Sequence, residues 1–176
     1  MIYLFLTNGF ETIEALTAVD LLRRAKCDIT TVSIEDTPRV VSSHNIPVIA
    51  DRLILDCDFT DLEALILPGG PGHMGLFNCE VLANLIEDTH RKGKLVAAIC
   101  AAPVILYKLG INVESTIFPS MKDEIEKYID KNVCITDNII SANAAGSSID
   151  FALAIITYLR GSDVSDAIAN QIVYTK

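Results

Sequence analysis

Apolar positions in this chain fall into two patterns. Residues 2–7 (IYLFLT), 62–67 (LEALIL) and 95–99 (LVAAI) are short, nearly unbroken apolar runs. Such runs suit strands covered on both faces of a parallel sheet. Residues 27–34 (CDITTVSI) alternate as a strand does. Elsewhere the apolar spacing is helical. From Glu11 to about Lys26, Ile13, Ala15, Leu16, Ala18, Val19, Leu21, Leu22 and Ala25 cover more than one face. Thr17, Asp20 and Arg24 make a polar stripe, with Asp20 four residues before Arg24 in the favourable order for an ion pair. Further helices are predicted over residues 78–91, capped by Asn78 and stopped by Gly93, and over 103–109, with Pro103 in the first turn and Gly110 as the stop. Others are predicted over 121–128, over 147–159 behind a capping box of Ser147 and Asp150, and over 162–172. A small hairpin is expected from residues 40–41 and 46–50, a strand at 116–118, and two strands at 133–136 and 139–142 joined by Asp137-Asn138. Residues 56–61 read as a loop. Strands alternating with helices predict a three-layer α/β/α sandwich around a mainly parallel sheet, with one domain over residues 1–176.

Composition narrows the class. The chain has 176 residues, 51% of them hydrophobic, enough for an ample core. No apolar run reaches the ~18 residues of a membrane span. The apolar start lacks a basic flank, so it reads as a first strand and not as a signal peptide. Cys27, Cys57, Cys79, Cys100 and Cys134 are scattered, with no CxxC and no Cys/His cluster. Neither a zinc site nor a disulfide framework is indicated, and a reducing cytoplasm fits best. A net charge of −9 without a Lys/Arg patch argues against nucleic acid and anionic membranes as partners. No motif calls for a metal or an organic cofactor.

The chemistry concentrates around residues 94–103 (KLVAAICAAP). The order is strand, Cys100, tight turn, helix. A cysteine there stands at the C-terminal edge of the sheet, beside the N–H groups that open the helix, where a lowered thiol pKa is expected. The alternative is a small core cysteine. Gly69-Gly70 directly follow a strand. On their own they read as a turn; with Cys100 in view, the N–H groups of Gly70 and Ala101 make a two-donor oxyanion hole. Glu14 lies on a stripe whose other members, Ala18, Leu21 and Ala25, are apolar. It is either buried with a raised pKa, able to donate to a thiolate and move protons, or a first-turn residue favouring the helix dipole. His44, His73 and His90 lack an acidic partner at useful spacing and read as surface residues. His73, just after the Gly-rich loop, is the one that can approach this edge.

Five segments, GFETIEAL (9–16), LPGGPG (67–72), AAICAAP (97–103), FPSMKDEI (118–125) and GSSIDFALAII (146–156), together resemble the ThiJ/PfpI family over nearly the whole chain, most nearly its ThiJ/YajL-like branch. The resemblance implies a flavodoxin-like α/β sandwich and a homodimer. It implies Cys100 as the reactive, oxidisable cysteine, Glu14 as the glutamate that hydrogen-bonds it, and Gly70 and Ala101 as backbone donors. It places Gly69 and Phe118 at the pocket. Arg24 matches an arginine near the pocket, and His44 falls about where relatives carry another on its dimer-proximal side.

The family's activities divide the functional expectation. One class is an enzyme of glyoxalase III or deglycase type, acting on methylglyoxal-like α-oxoaldehydes or their glycated adducts. The other is a non-enzymatic redox sensor or chaperone whose Cys100 is oxidised to sulfinate. Two departures matter. Ala101 stands where the peptidase branch has a histidine, and Phe118 where another branch has one. No Cys–His dyad is present by motif, so a peptidase is not expected, and any glyoxalase activity is expected to be weak.

Overall fold

The computed structural model describes residues 1–175. Along the chain come β1 (Ile2–Leu6), α1 (Thr12–Arg24), β2 (Ile29–Ser33), the hairpin β3 (Arg39–Val41) and β4 (Pro47–Ile49), and the short β5 (Arg52–Leu53). Then follow β6 (Ala64–Leu67), α2 (His73–Asn78), α3 (Glu80–Arg91), β7 (Leu95–Ile99), α4 (Pro103–Lys108), β8 (Val133–Thr136), β9 (Ile139–Ala142), α5 (Ser148–Arg160) and α6 (Ser162–Gln171). Seven strands form one sheet in the order β5-β2-β1-β6-β7-β9-β8. Every neighbouring pair is parallel except β8 with β9. The two hairpin strands pair only with each other.

The alternation of side chains across each strand produces the layers. Ile2, Leu4 and Leu6 of β1 face the same core as Ile66, Ala97, Ile99 and Ile140, where Leu22 of α1 and Phe151 and Ile155 of α5 close over them. Tyr3 and Phe5 face the opposite core with Leu65, Leu67, Val96 and Ala98, covered by Leu82 and Ile86 of α3 and by α4. A strand buried on both faces has no polar side to show, which explains the unbroken runs in the sequence. With β1, β2, β6, β7 and β9 counted as strands one to five, their order is 2-1-3-4-5, the flavodoxin-like arrangement. The strand order reverses between β1 and β6, and a crevice opens there beyond the C-terminal strand ends.

Several local expectations are corrected. Residues 116–118 form no strand, because their backbone groups are used elsewhere: the Thr116 N–H donates to Ser141 Oγ (3.0 Å) and the Phe118 N–H to the Cys100 carbonyl (2.8 Å). Residues 121–128 are not an α-helix. A 3-10 turn spans Pro119–Glu124, and Ile125 is the one buried residue from 121 to 128. The helix expected from Asn78 begins at Glu80 with Cys79 as its cap, while Asn78 ends the short α2 that the glycines had hidden. The capping box is not formed: Ser147 Oγ donates to Asn143 Oδ1 (2.6 Å), and Asp150 accepts from the Tyr174 hydroxyl (2.9 Å). The Asp20–Arg24 pair is present at 2.8 Å on the surface of α1, where such pairs contribute little. Among the described residues, no helix is long and apolar enough to cross a membrane.

Candidate active site

Cys100 stands on the turn from β7 to α4 with φ +63°, in the left-handed region. A non-glycine residue held there costs roughly 1–3 kcal/mol and persists only where its surroundings fix it. Two hydrogen bonds do so. The Cys100 N–H donates to the Ala142 carbonyl at the end of β9, and the Cys100 carbonyl accepts from the Phe118 N–H, both at 2.8 Å. The strained turn lifts the sulfur off the sheet edge while keeping it half-buried.

Gly69 and Gly70 follow β6 and let three segments converge. A Cβ on Gly69 would lie 2.9 Å from both the Ala101 nitrogen and Cys100 Cβ, and 3.0 Å from Glu14 Oε2. Gly70 has φ +94°, and a Cβ there would lie 2.5 Å from the Gly9 carbonyl oxygen and 2.6 Å from the Glu11 nitrogen. No side chain fits at either position. Gly70, Ala101 and Cys100 line one cavity, and the N–H groups of Gly70 and Ala101 pull the thiol pKa down.

Glu14 enters from the first turn of α1 and is 1% exposed. Its Oε2 accepts from the Gly69 N–H at 2.8 Å. Its Oε1 is buried without a hydrogen-bond partner of normal geometry among the described residues, and the Cys100 thiol is the polar group beside the carboxyl. Burial raises the Glu14 pKa to about 7, against the opposing pull of the Cys100 thiol and the Gly69 N–H. The carboxyl therefore exchanges its proton near neutrality, and of the two readings the apolar stripe left open, the buried carboxyl is the one found.

The thiol does not follow its expectation. Burial, and then the Glu14 charge and hydrogen bond, push the Cys100 pKa up to about 12, although the Ala101 and Gly70 N–H groups pull it down. The six-residue α4 and two N–H groups do not offset desolvation beside a carboxylate. Cys100 and Glu14 act as one unit that holds a single proton over a wide pH range.

These groups open into a cavity of about 520 Å³. Its wall includes Phe118, 40% exposed, with Pro71, Met121 and the small residues Ala144, Ala145 and Gly146. His73 also lines it, and its Nδ1 lies 3.0 Å from the Gly70 carbonyl oxygen. Gly69 lies behind the wall, where it holds Glu14. Arg24 and His44 are not brought to the cavity by this chain. Arg24 pairs with Asp20 in the last turn of α1, and His44 projects from the hairpin, 3.7 Å from Glu11 Oε2. Sequence reasoning missed Glu11, which caps α1, lines the cavity and accepts from Ser43 Oγ at 3.0 Å. It also missed residues 144–146. Their signal was available: they follow a parallel strand at the same sheet edge as Cys100.

The model of the DJ-1/PfpI family matches residues 1–158. The chain belongs to this family. It is 32% identical to Protein DJ-1alpha of Drosophila melanogaster, over 98% of this chain and 83% of that protein. It is 29% identical to the glutathione-independent glyoxalase DJR-1.2 of Caenorhabditis elegans, over 94% of this chain and 91% of that protein. The solved structure of oxidized Toxoplasma gondii DJ-1 superposes with a TM-score of 0.96 at 28% identity, covering 99% of this chain and 98% of that one.

Proposed function

We propose that this DJ-1/PfpI protein is a cysteine-dependent enzyme of carbonyl stress, a slow glutathione-independent glyoxalase for methylglyoxal-type α-oxoaldehydes. The observation that carries the reading is the buried Glu14 carboxyl, with one oxygen held by Gly69 and the other unpartnered beside Cys100. The name of the Caenorhabditis elegans relative supports the same chemistry.

The steps follow from the residues. Glu14 takes the thiol proton as Cys100 Sγ attacks the aldehyde carbon. The aldehyde oxygen becomes an oxyanion that accepts from the Gly70 and Ala101 N–H groups and then takes the proton from Glu14, giving a hemithioacetal and leaving Glu14 ionised. Glu14 removes the hydrogen on the former aldehyde carbon as a proton and delivers it to the neighbouring carbon. The hemithioacetal hydroxyl gives its proton to the neighbouring carbonyl oxygen, so a 2-hydroxyacyl thioester results; the electron pair moves within the substrate and no outside oxidant is needed. Water cleaves the thioester and releases the 2-hydroxy acid. Glycated adducts of the same aldehydes meet the same thiol and carboxyl. Methylglyoxal consumption and lactate formation, measured for wild type and Cys100→Ser, test the reading. Turnover that persists in Cys100→Ser refutes it.

The second reading is a redox sensor. A sulfinate on Cys100 would find the Gly70 and Ala101 N–H groups for one oxygen and a protonated Glu14 for the other. The structural match to an oxidized DJ-1 favours keeping it in view.

A further inference from the structure

We propose that His73 is the general base that releases the acyl group from Cys100. This rests on the reading of Cys100 as an acyl-carrying nucleophile. Glu14 lies deep in the floor of the site, 1% exposed, and serves the steps that occur against it. Water attacking a Cys100 thioester comes instead from the open cavity. His73 is the one histidine on that wall, which it shares with Glu11, Glu14 and Cys100 as the other titratable groups.

The His73 tautomer follows from its partner. A carbonyl oxygen only accepts, so the Nδ1 that lies 3.0 Å from the Gly70 oxygen carries the hydrogen. In the neutral ring, Nε2 is then the basic nitrogen, and none of the hydrogen bonds among the described residues occupies it. The same Gly70 lines the cavity together with Cys100, so the residue that orients the base also borders the thiol. In the step, water oxygen bonds to the acyl carbon while Nε2 takes a water proton. The tetrahedral intermediate collapses, the C–S bond breaks, and the sulfur leaves with its electron pair. The imidazolium returns its proton to the Cys100–Glu14 pair. Nothing is oxidised or reduced.

His73→Asn and His73→Gln test the role. Asn places an amide N–H where Nδ1 stands, so it keeps the bond to Gly70 and removes only the base. Two probes are used, methylglyoxal and p-nitrophenyl acetate, the second of which acylates a cysteine without any isomerisation. With each, we expect a normal first-turnover burst in both variants. Steady-state turnover should fall about 100-fold, within the usual range for a general base, and Cys100 should carry the acyl group in mass spectra. Wild-type deacylation in His73→Asn overturns the proposal, as does a parallel loss of burst and steady state in both variants. If wild type deacylates the acetyl enzyme through His73 but never converts methylglyoxal, the glyoxalase reading fails and the role of His73 stands.

Discussion

The two oxygens of Glu14 have different surroundings, and its titration carries a stability consequence. Its pKa is raised to about 7 from 4.5, chiefly by burial. A raised carboxyl pKa means that folding favours the protonated form. The resulting stabilisation is complete below about pH 4.5 and is lost as pH rises through about 7. Glu14→Gln has no such loss. Its stability relative to wild type should therefore grow between pH 5 and pH 8, by up to roughly 3 kcal/mol at about 1.4 kcal/mol per unit. Urea unfolding at four pH values checks this, and a constant difference between the two proteins contradicts it. A second prediction concerns oxidation. Cys27 and Cys134 are buried and Cys57, Cys79 and Cys100 are half-buried, but Cys100 opens on a cavity that it shares with Glu14, a carboxyl placed to take its proton. Graded peroxide should add two oxygens to Cys100 before it modifies Cys27, Cys57, Cys79 or Cys134. Peptide mass spectrometry decides between this and equal oxidation of all five.

The β6–α2 turn is the element on which the site depends most. Gly70 combines a positive φ with backbone atoms of Gly9 and Glu11 where a side chain would begin. Gly70→Ala should cost at least about 2 kcal/mol, because backbone and not a movable side-chain end must yield. It should also displace the Gly70 N–H and slow Cys100 alkylation at fixed pH. The expected signature is a lower urea midpoint together with a slower reaction; an unchanged midpoint tells against the close approach. The sheet beneath tolerates no such looseness either. Phe151 of α5 is fully buried against the β1 face, and Phe151→Ala should cost about 3–5 kcal/mol, read from the same unfolding curves.

For the whole molecule, the question is what covers the hairpin side. The hairpin is tied to the start of α1: the Ser43 N–H donates to the Phe10 carbonyl and the Gly9 N–H to the Val41 carbonyl. Ile13 on α1 is 55% exposed, and Ile46 and Ile49 of the hairpin region are 46% and 66% exposed. We propose that a second copy of the chain covers them, as the family resemblance implies. A homodimer at micromolar concentration is the expected result in sedimentation, with Ile49→Glu shifting it toward monomer. Sedimentation of wild type as a monomer refutes this.

Local pattern by itself determined much of this protein. The doubly buried runs of β1, β6 and β7, the helical spacing of α1 and α5, and the order strand, Cys100, helix were all readable, because each depends on residues a few positions apart. Glu14 stood out for the same reason, as a carboxylate on an apolar stripe. Tertiary structure alone decided what depends on distant segments. β5 has two residues and exists because β2 offers it an edge. Residues 116–118 are not a strand because the turn at Cys100 and Ser141 take their N–H groups. The bond that orients His73 depends on how the β6–α2 turn presents the Gly70 carbonyl. The thiol pKa changed direction for the most general reason. A helix start is visible in sequence, but desolvation sums over every neighbour, and here burial together with Glu14 outweighs the two N–H groups that the motif announces.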